Sequence, residues 1–180
     1  PSDSMLAIAQ AQDAGFSNLS ADIIYSIPGA SISDLEEDLR LLMTFSPSHV
    51  SAYCLSVEEG TPLHKKVLSG ELKMPSEEEQ LKQMRVVSRM LGRVGWNRYE
   101  ISNYAKAEME SRHNVNYWRY GEYLGLGPSA ASFLRDVKNS FGVRRCVSRE
   151  IEKYMNKEFF SSEESIDKKQ GALEFMFMGL

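Results

Sequence analysis

Asp22-Ile23-Ile24-Tyr25-Ser26-Ile27-Pro28-Gly29 is the stretch on which the fold turns. Ile23, Ile24, Tyr25 and Ile27 form an apolar run between Asn18-Leu19-Ser20 and Pro28-Gly29. A β-rich apolar run with turn signals at both ends predicts a strand over Ala21–Ile27, buried on both faces. Upstream, Leu6, Ala7, Ala9, Ala11 and Ala14 precede Gly15, with Ser2 as a cap, and predict a short helix over residues 3–14. Downstream, the capping-box pair Ser33 and Glu36 opens a stripe of Leu35, Leu39, Leu42 and Met43. That spacing predicts a helix ending before Pro47. His49–Val57 returns to strand character, and Glu58-Glu59-Gly60-Thr61-Pro62 reads as a turn. Ser76 and Glu79 then begin the longest helix, whose stripe of Leu81, Met84, Val87, Leu91 and Val94 runs to Gly95. Arg98–Ile101 reads as a third strand.

Helices alternating with strands imply an α/β fold of βαβ units around a parallel sheet. Three strands cannot close a barrel of about eight, so the sheet is expected to be incomplete within this chain. Ser102–Gly127 abandons the alternation for polar, aromatic and Gly-rich sequence. Pro128–Val147 reads as two strands joined near Asp136–Asn139, and Ile151–Asn156 and Ile166–Leu180 as helices. The polar stretch Glu158–Lys169 is the expected linker. The last apolar stripe stops in mid-course at Phe177-Met178-Gly179-Leu180, which predicts a polypeptide that continues beyond it. The organisation expected is therefore βα units over 1–110, the aromatic and Gly-rich segment with a strand pair over 111–157, and a linker with a truncated helix over 158–180.

The 180 residues carry a net charge of −4, with 42% apolar and 26% charged side chains, as expected of a globular chain long enough to bury its own core. The acidic balance, with only Arg144, Arg145 and Arg149 clustered, argues against nucleic acid as a partner. No apolar run approaches the roughly 18 residues that span a bilayer, and no secretory signal opens the chain, so a cytoplasmic protein is expected. Cys54 and Cys146 lie far apart in strand-like sequence and read as small buried thiols.

Ligands of open parallel sheets bind at the carboxyl ends of strands, so the residues following Tyr25, Val57 and Ile101 are the candidates. Asp22 inside an apolar strand must find donors, either on a ligand or on a neighbouring strand or helix terminus. His113-Asn114-Val115-Asn116-Tyr117-Trp118 packs an imidazole, two amides and two large aromatics into one segment. It suits a flat, partly apolar ligand, and equally a core histidine beside surface aromatics. His49 and His64 have no carboxylate or cysteine at ligand spacing and read as surface residues. Tyr123-Leu124-Gly125-Leu126-Gly127 lacks the spacing of a phosphate-binding loop.

The Asp22–Gly29 strand resembles the DLIYGLPG strand of the radical SAM coproporphyrinogen III oxidase family. Arg98-Tyr99-Glu100-Ile101-Ser102-Asn103-Tyr104, Ser111-Arg112-His113-Asn114 with Tyr117-Trp118, and Tyr123–Gly127 resemble its HemW branch of heme chaperones. The resemblance runs in order along nearly the whole chain. It implies the C-terminal part of an incomplete radical SAM (β/α) barrel, followed by the start of a small α+β domain. It also implies that the CxxxCxxC ligands of a 4Fe-4S cluster lie in an N-terminal half outside this chain, so that the isolated chain is inactive. Asp22, Ser56 and Ala131 match positions that contact S-adenosylmethionine. His113, Asn114, Tyr117 and Trp118 match the HNxxYW motif associated with heme, with heme-accepting apo-proteins as implied partners.

Three positions depart from the family pattern: Ser26 stands for Gly, Ala30 for Gln, and Ala131 for a frequent His. The last implies weaker heme retention or reliance on His113 alone. The resemblance therefore ranks HemW-type heme binding and transfer first and oxidative decarboxylation of a porphyrinogen second. A non-catalytic interaction scaffold is the alternative from another class.

Overall fold

A computed structural model describes residues 2–136 and 141–178. Its contacts divide the chain into two compact units, Pro1–Ser111 and Arg112–Leu180.

The first unit runs α1 (Ser2–Asp13), β1 (Ser20–Tyr25), α2 (Ile32–Phe45), β2 (His49–Cys54), α3 (Pro62–Leu68), α4 (Glu77–Arg93), β3 (Asn97–Arg98) and β4 (Asn103–Ala105). The side chain of Ser2, the expected cap of α1, lies outside the described residues. The sheet order is β1-β2-β4-β3. β1 and β2 are parallel from Ser20 opposite His49 to Tyr25 opposite Cys54, with α2 as their crossover. β4 is antiparallel to both β2 and β3, so the expected all-parallel sheet holds only for the first pair. The cause is a reversal within the supposed strand Arg98–Ile101. The Arg98 guanidinium donates to the carbonyls of Glu100 at 2.9 Å and Ile101 at 2.6 Å and folds that segment into a turn.

β1 also differs from its expectation. It stops at Tyr25 because Ser26 adopts φ 64, and the Ser26 N–H donates to Gln83 Oε1 of α4 at 2.8 Å. Its burial alternates: Ala21 and Tyr25 are covered, whereas Asp22 and Ile24 are exposed. α2 and α4 cover one face of this sheet. Their core joins Leu35 and Leu39 of α2, Val86, Val87 and Leu91 of α4, and Trp96, to Tyr25, Val50, Ala52 and Tyr104. Burying each large apolar side chain contributes about 1.5–3 kcal/mol. Trp96 is held in register as its indole N–H donates to the Pro47 carbonyl at 2.9 Å.

The helix starts show which local signals prevail. α4 begins at the Ser76–Glu79 capping box, as the spacing predicts. α2 begins two residues before its expected box, capped by Ser31, whose backbone is extended, in a reciprocal pair with Asp34. Glu36 instead pairs with Arg40 at 2.8 Å. α3 follows the expected turn, capped by Thr61 with Pro62 in its first turn, and is too short to announce itself by periodicity.

The second unit comprises α5 (Arg112–Trp118), β5 (Ala131–Leu134), β6 (Gly142–Val147), α6 (Ile151–Met155), β7 (Phe160–Ile166) and α7 (Lys168–Met178). β5, β6 and β7 form an antiparallel sheet in that order. The expected strand pair is present, and residues 137–140 of its connection lie outside the described residues. The expected linker 158–169 instead contains β7. Its polarity belongs to an exposed strand, whose Glu163 and Glu164 pair with Arg145 and Arg144 of β6 at 2.6 and 2.9 Å. Tyr120, Phe133 and Ile166 form the core. Among the described residues, no helix is long and apolar enough to cross a membrane.

Candidate functional site

The side of the first sheet away from the helices carries the polar side chains. Cross-strand register aligns Ser20, His49 and Ala105 in one row, and Asp22, Ser51 and Asn103 in the next. Alternation assigns these residues to the face opposite Tyr25, Val50, Ala52 and Tyr104 of the core. Ile24 and Tyr53, paired in the following row, are 50% and 43% exposed and extend this open face with apolar surface.

Asp22 is therefore exposed on β1, and the burial cost expected of a carboxylate inside a doubly covered strand does not arise. Two strands away in the same row, beyond Ser51, Asn103 is buried, and its side-chain oxygen has no hydrogen-bond partner among the described residues. An unpaired buried acceptor costs about 1–3 kcal/mol, so this atom calls for a donor. His49, expected at the surface, is buried at 5% exposure. Its Nδ1 lies 2.8 Å from Ser20 Oγ and its Nε2 2.8 Å from the Tyr99 hydroxyl. Burial lowers its pKa from the ordinary 6.5, against the opposing charges of Asp22 and Glu100. His64 is half-buried, and its Nδ1 accepts from the Gly60 N–H at 3.3 Å.

Ser56 follows the end of β2, is exposed, and donates from Oγ to Glu58 Oε1 at 2.9 Å. The strand ends on either side of it are stitched by the Leu55 N–H donating to the Tyr25 carbonyl at 2.8 Å. Ala131, the third residue matched to S-adenosylmethionine, belongs to the second unit, where it opens β5. Gly125 lies so tightly against the Ala131 carbonyl that a Cβ would overlap it, and the Gly125 N–H donates to Ser132 Oγ at 2.9 Å. Here glycine is required for close approach.

The HNxxYW residues lie on α5, a helix that the polar and aromatic sequence did not announce. His113 and Tyr117, one turn apart, meet edge to face with ring centroids 4.8 Å apart. Tyr117 in turn meets Tyr123 at 4.5 Å. Asn114 and Trp118 are half-buried on the adjoining stripe, and His113 is exposed. Tyr123 was legible only as part of a Gly-rich segment; its place in this stack comes from folding. Cys54 and Cys146 are free and half-buried. Among the described residues, no group of three or more His, Cys, Asp or Glu is placed to hold a metal ion.

No family model matches the chain. It is 31% identical over 183 residues to the heme chaperone HemW of Bacillus subtilis, a match covering 99% of this chain and 47% of that protein. The heme chaperone HemW of Buchnera aphidicola subsp. Schizaphis graminum is 32% identical over 163 residues, or 91% of this chain and 42% of that protein. The mitochondrial radical S-adenosyl methionine domain-containing protein 1 of Danio rerio is 38% identical over 112 residues, covering 62% of this chain and 25% of that protein. Among solved structures, coproporphyrinogen III oxidase (HemN) of Escherichia coli, a radical SAM enzyme, superposes with a TM-score of 0.75 at 14% identity. It covers 98% of this chain and 43% of its own, a likeness of fold. The chain spans somewhat less than half the length of the HemW relatives it matches. Similarity to HemW heme chaperones thus runs over nearly the whole of this chain, on a fold it shares with HemN.

Proposed function

We propose that this chain supplies part of a cytoplasmic heme chaperone of the HemW type, which binds heme and passes it to apo-proteins. The observation that carries the reading is the exposed His113 imidazole braced edge-on by Tyr117 on α5. A neutral imidazole ligates heme iron, and the neighbouring aromatic rings offer a flat apolar macrocycle a surface to lie against. Heme is the cargo in this scheme. His113 holds its iron, Tyr117 restrains the ring, and Asn114 and Trp118 complete the segment.

The 1–110 segment serves as βα units of the radical SAM barrel, 111–157 as the heme segment and 158–180 as the start of the C-terminal domain. S-adenosylmethionine suits the polar face of the first sheet, where Asp22 offers an exposed carboxylate to ribose hydroxyls or the amino group and Ser56, beyond the end of β2, offers a further contact. When bound, that cofactor supplies radical chemistry. The 4Fe-4S cluster does not fit Cys54 and Cys146, which belong to separate units, so its ligands come from elsewhere. The HemN-like fold favours one second reading, oxidative decarboxylation of coproporphyrinogen III.

Heme titration followed in the Soret band tests the proposal. The expected result is stoichiometric binding that His113→Ala abolishes while the far-ultraviolet dichroism stays unchanged. Binding that survives the substitution would place the iron ligand elsewhere. Absence of binding, with coproporphyrinogen III consumed by the full-length protein, would favour the second reading.

A further inference from the structure

Gln83 of α4 is 5% exposed, yet only one end of its amide is engaged. The Ser26 backbone N–H can only donate, so the atom that accepts from it at 2.8 Å is the Gln83 side-chain oxygen. The Ser26 hydroxyl points to the same oxygen at 3.5 Å. The orientation of the amide is thereby fixed, and its NH2 group is the end left over. That group meets no acceptor among the described residues. Buried polar groups are as a rule paired, so this donor calls for an acceptor from outside the chain.

Gln83 lines a pocket of about 430 Å³, a size usual for small-molecule sites. The other walls are residues 29–32 leading into α2, residues 73–75 leading into α4, and Glu79. Two more donors belong to these walls. Ile32 opens the 14-residue α2, and its N–H, at the positive end of the helix, has no acceptor among the described residues. Lys73 is exposed and feels the charge of Glu79, but forms no ion pair among the described residues. The carboxylates at the two helix starts are already engaged: Asp34 accepts from the Ser31 N–H and Glu79 from the Ser76 N–H, each at 2.7 Å. We propose that this pocket binds a small monocarboxylate with a short apolar body. Its oxygens accept from the Gln83 amide, the Ile32 N–H and the Lys73 ammonium, while the body lies against Ile32, Met74 and Pro75. The remaining charge of Glu79 disfavours anions of higher charge. The site is built on α2 and α4, which cover the face of the sheet opposite Asp22, and it rests on neither the S-adenosylmethionine nor the heme reading.

Titration of the 180-residue chain with butyrate, followed by nitrogen-15 NMR, tests it. The Gln83 side-chain amide and Ile32 backbone signals should shift together and saturate, whereas butyramide and butylammonium leave them in place. Lys73→Gln, at an exposed position, should weaken butyrate binding about two- to fivefold, as for an exposed ion pair. Gln83→Glu keeps an oxygen for the Ser26 N–H but replaces the free donor with an acceptor, and should abolish the Ile32 shift. Signals that butyrate leaves unmoved, or that all three compounds move alike, overturn the proposal. So does a folded Gln83→Glu chain that binds butyrate as before. Should that variant fail to fold, an affinity unchanged in Lys73→Gln overturns it instead.

Discussion

Burial holds the His49 imidazole below its ordinary 6.5, so proton uptake at this residue is coupled to folding of the first unit. Unfolded, His49 binds its proton as pH falls through 6.5; folded, it resists until lower pH. Acidification across that window therefore favours the unfolded chain. Urea midpoints are expected to fall between pH 7.5 and 5.5, and His49→Gln, which cannot titrate, to flatten the dependence. Equal slopes in both proteins would rule this out. The candidate residues Asp22, His113, Asn114, Tyr117 and Trp118 were legible because their motifs are contiguous. His49 was not, because Ser20 and Tyr99, the partners that bury it, lie 29 and 50 residues away.

Between elements, β6, α7 and the segment after α5 are joined through one carboxylate. Glu174 of α7 accepts from the Tyr120 hydroxyl and from Arg144 of β6, each at 2.5 Å, and from Gln170 at 3.1 Å. Burial alone would raise its pKa, but the hydrogen bonds from Tyr120, Arg144 and Gln170 outweigh it and lower it from the ordinary 4.5. A carboxylate with a lowered folded pKa stabilises the fold above the ordinary value and loses that contribution as pH falls through the lowered one. Stability of the second unit should thus drop as pH falls from 5 to 3, with Glu174→Gln less stable at pH 7 and less acid-sensitive. Chemical denaturation followed at Trp118 measures this, and an unaltered acid limb in the variant would count against it. The Ser76–Glu79 capping box and the β5–β6 pair were readable because their determinants are local. β7 was not, since its adjacent Glu163 and Glu164 make sense only opposite Arg145 and Arg144.

For the molecule as a whole, β1 ends the first sheet with one edge unpaired, and its open face carries exposed Ile24 and Tyr53. On α7, Phe175, Met176 and Phe177 are 52%, 65% and 75% exposed. Unpaired edges and contiguous apolar surface promote association. The 180-residue chain is therefore expected to self-associate, with Ile24→Lys reducing the effect. Sedimentation velocity showing a monomer at all concentrations would refute this. What the sequence by itself determined was the helix–strand alternation, the long capped helix α4 and the family motifs, because periodicity, caps and short motifs are local properties of the chain. Only the tertiary structure decided that β4 runs antiparallel, that the face opposite the α2–α4 core carries the polar side chains, and that His49 on it is buried. Each of these depends on pairing between residues far apart in sequence, which no local pattern encodes.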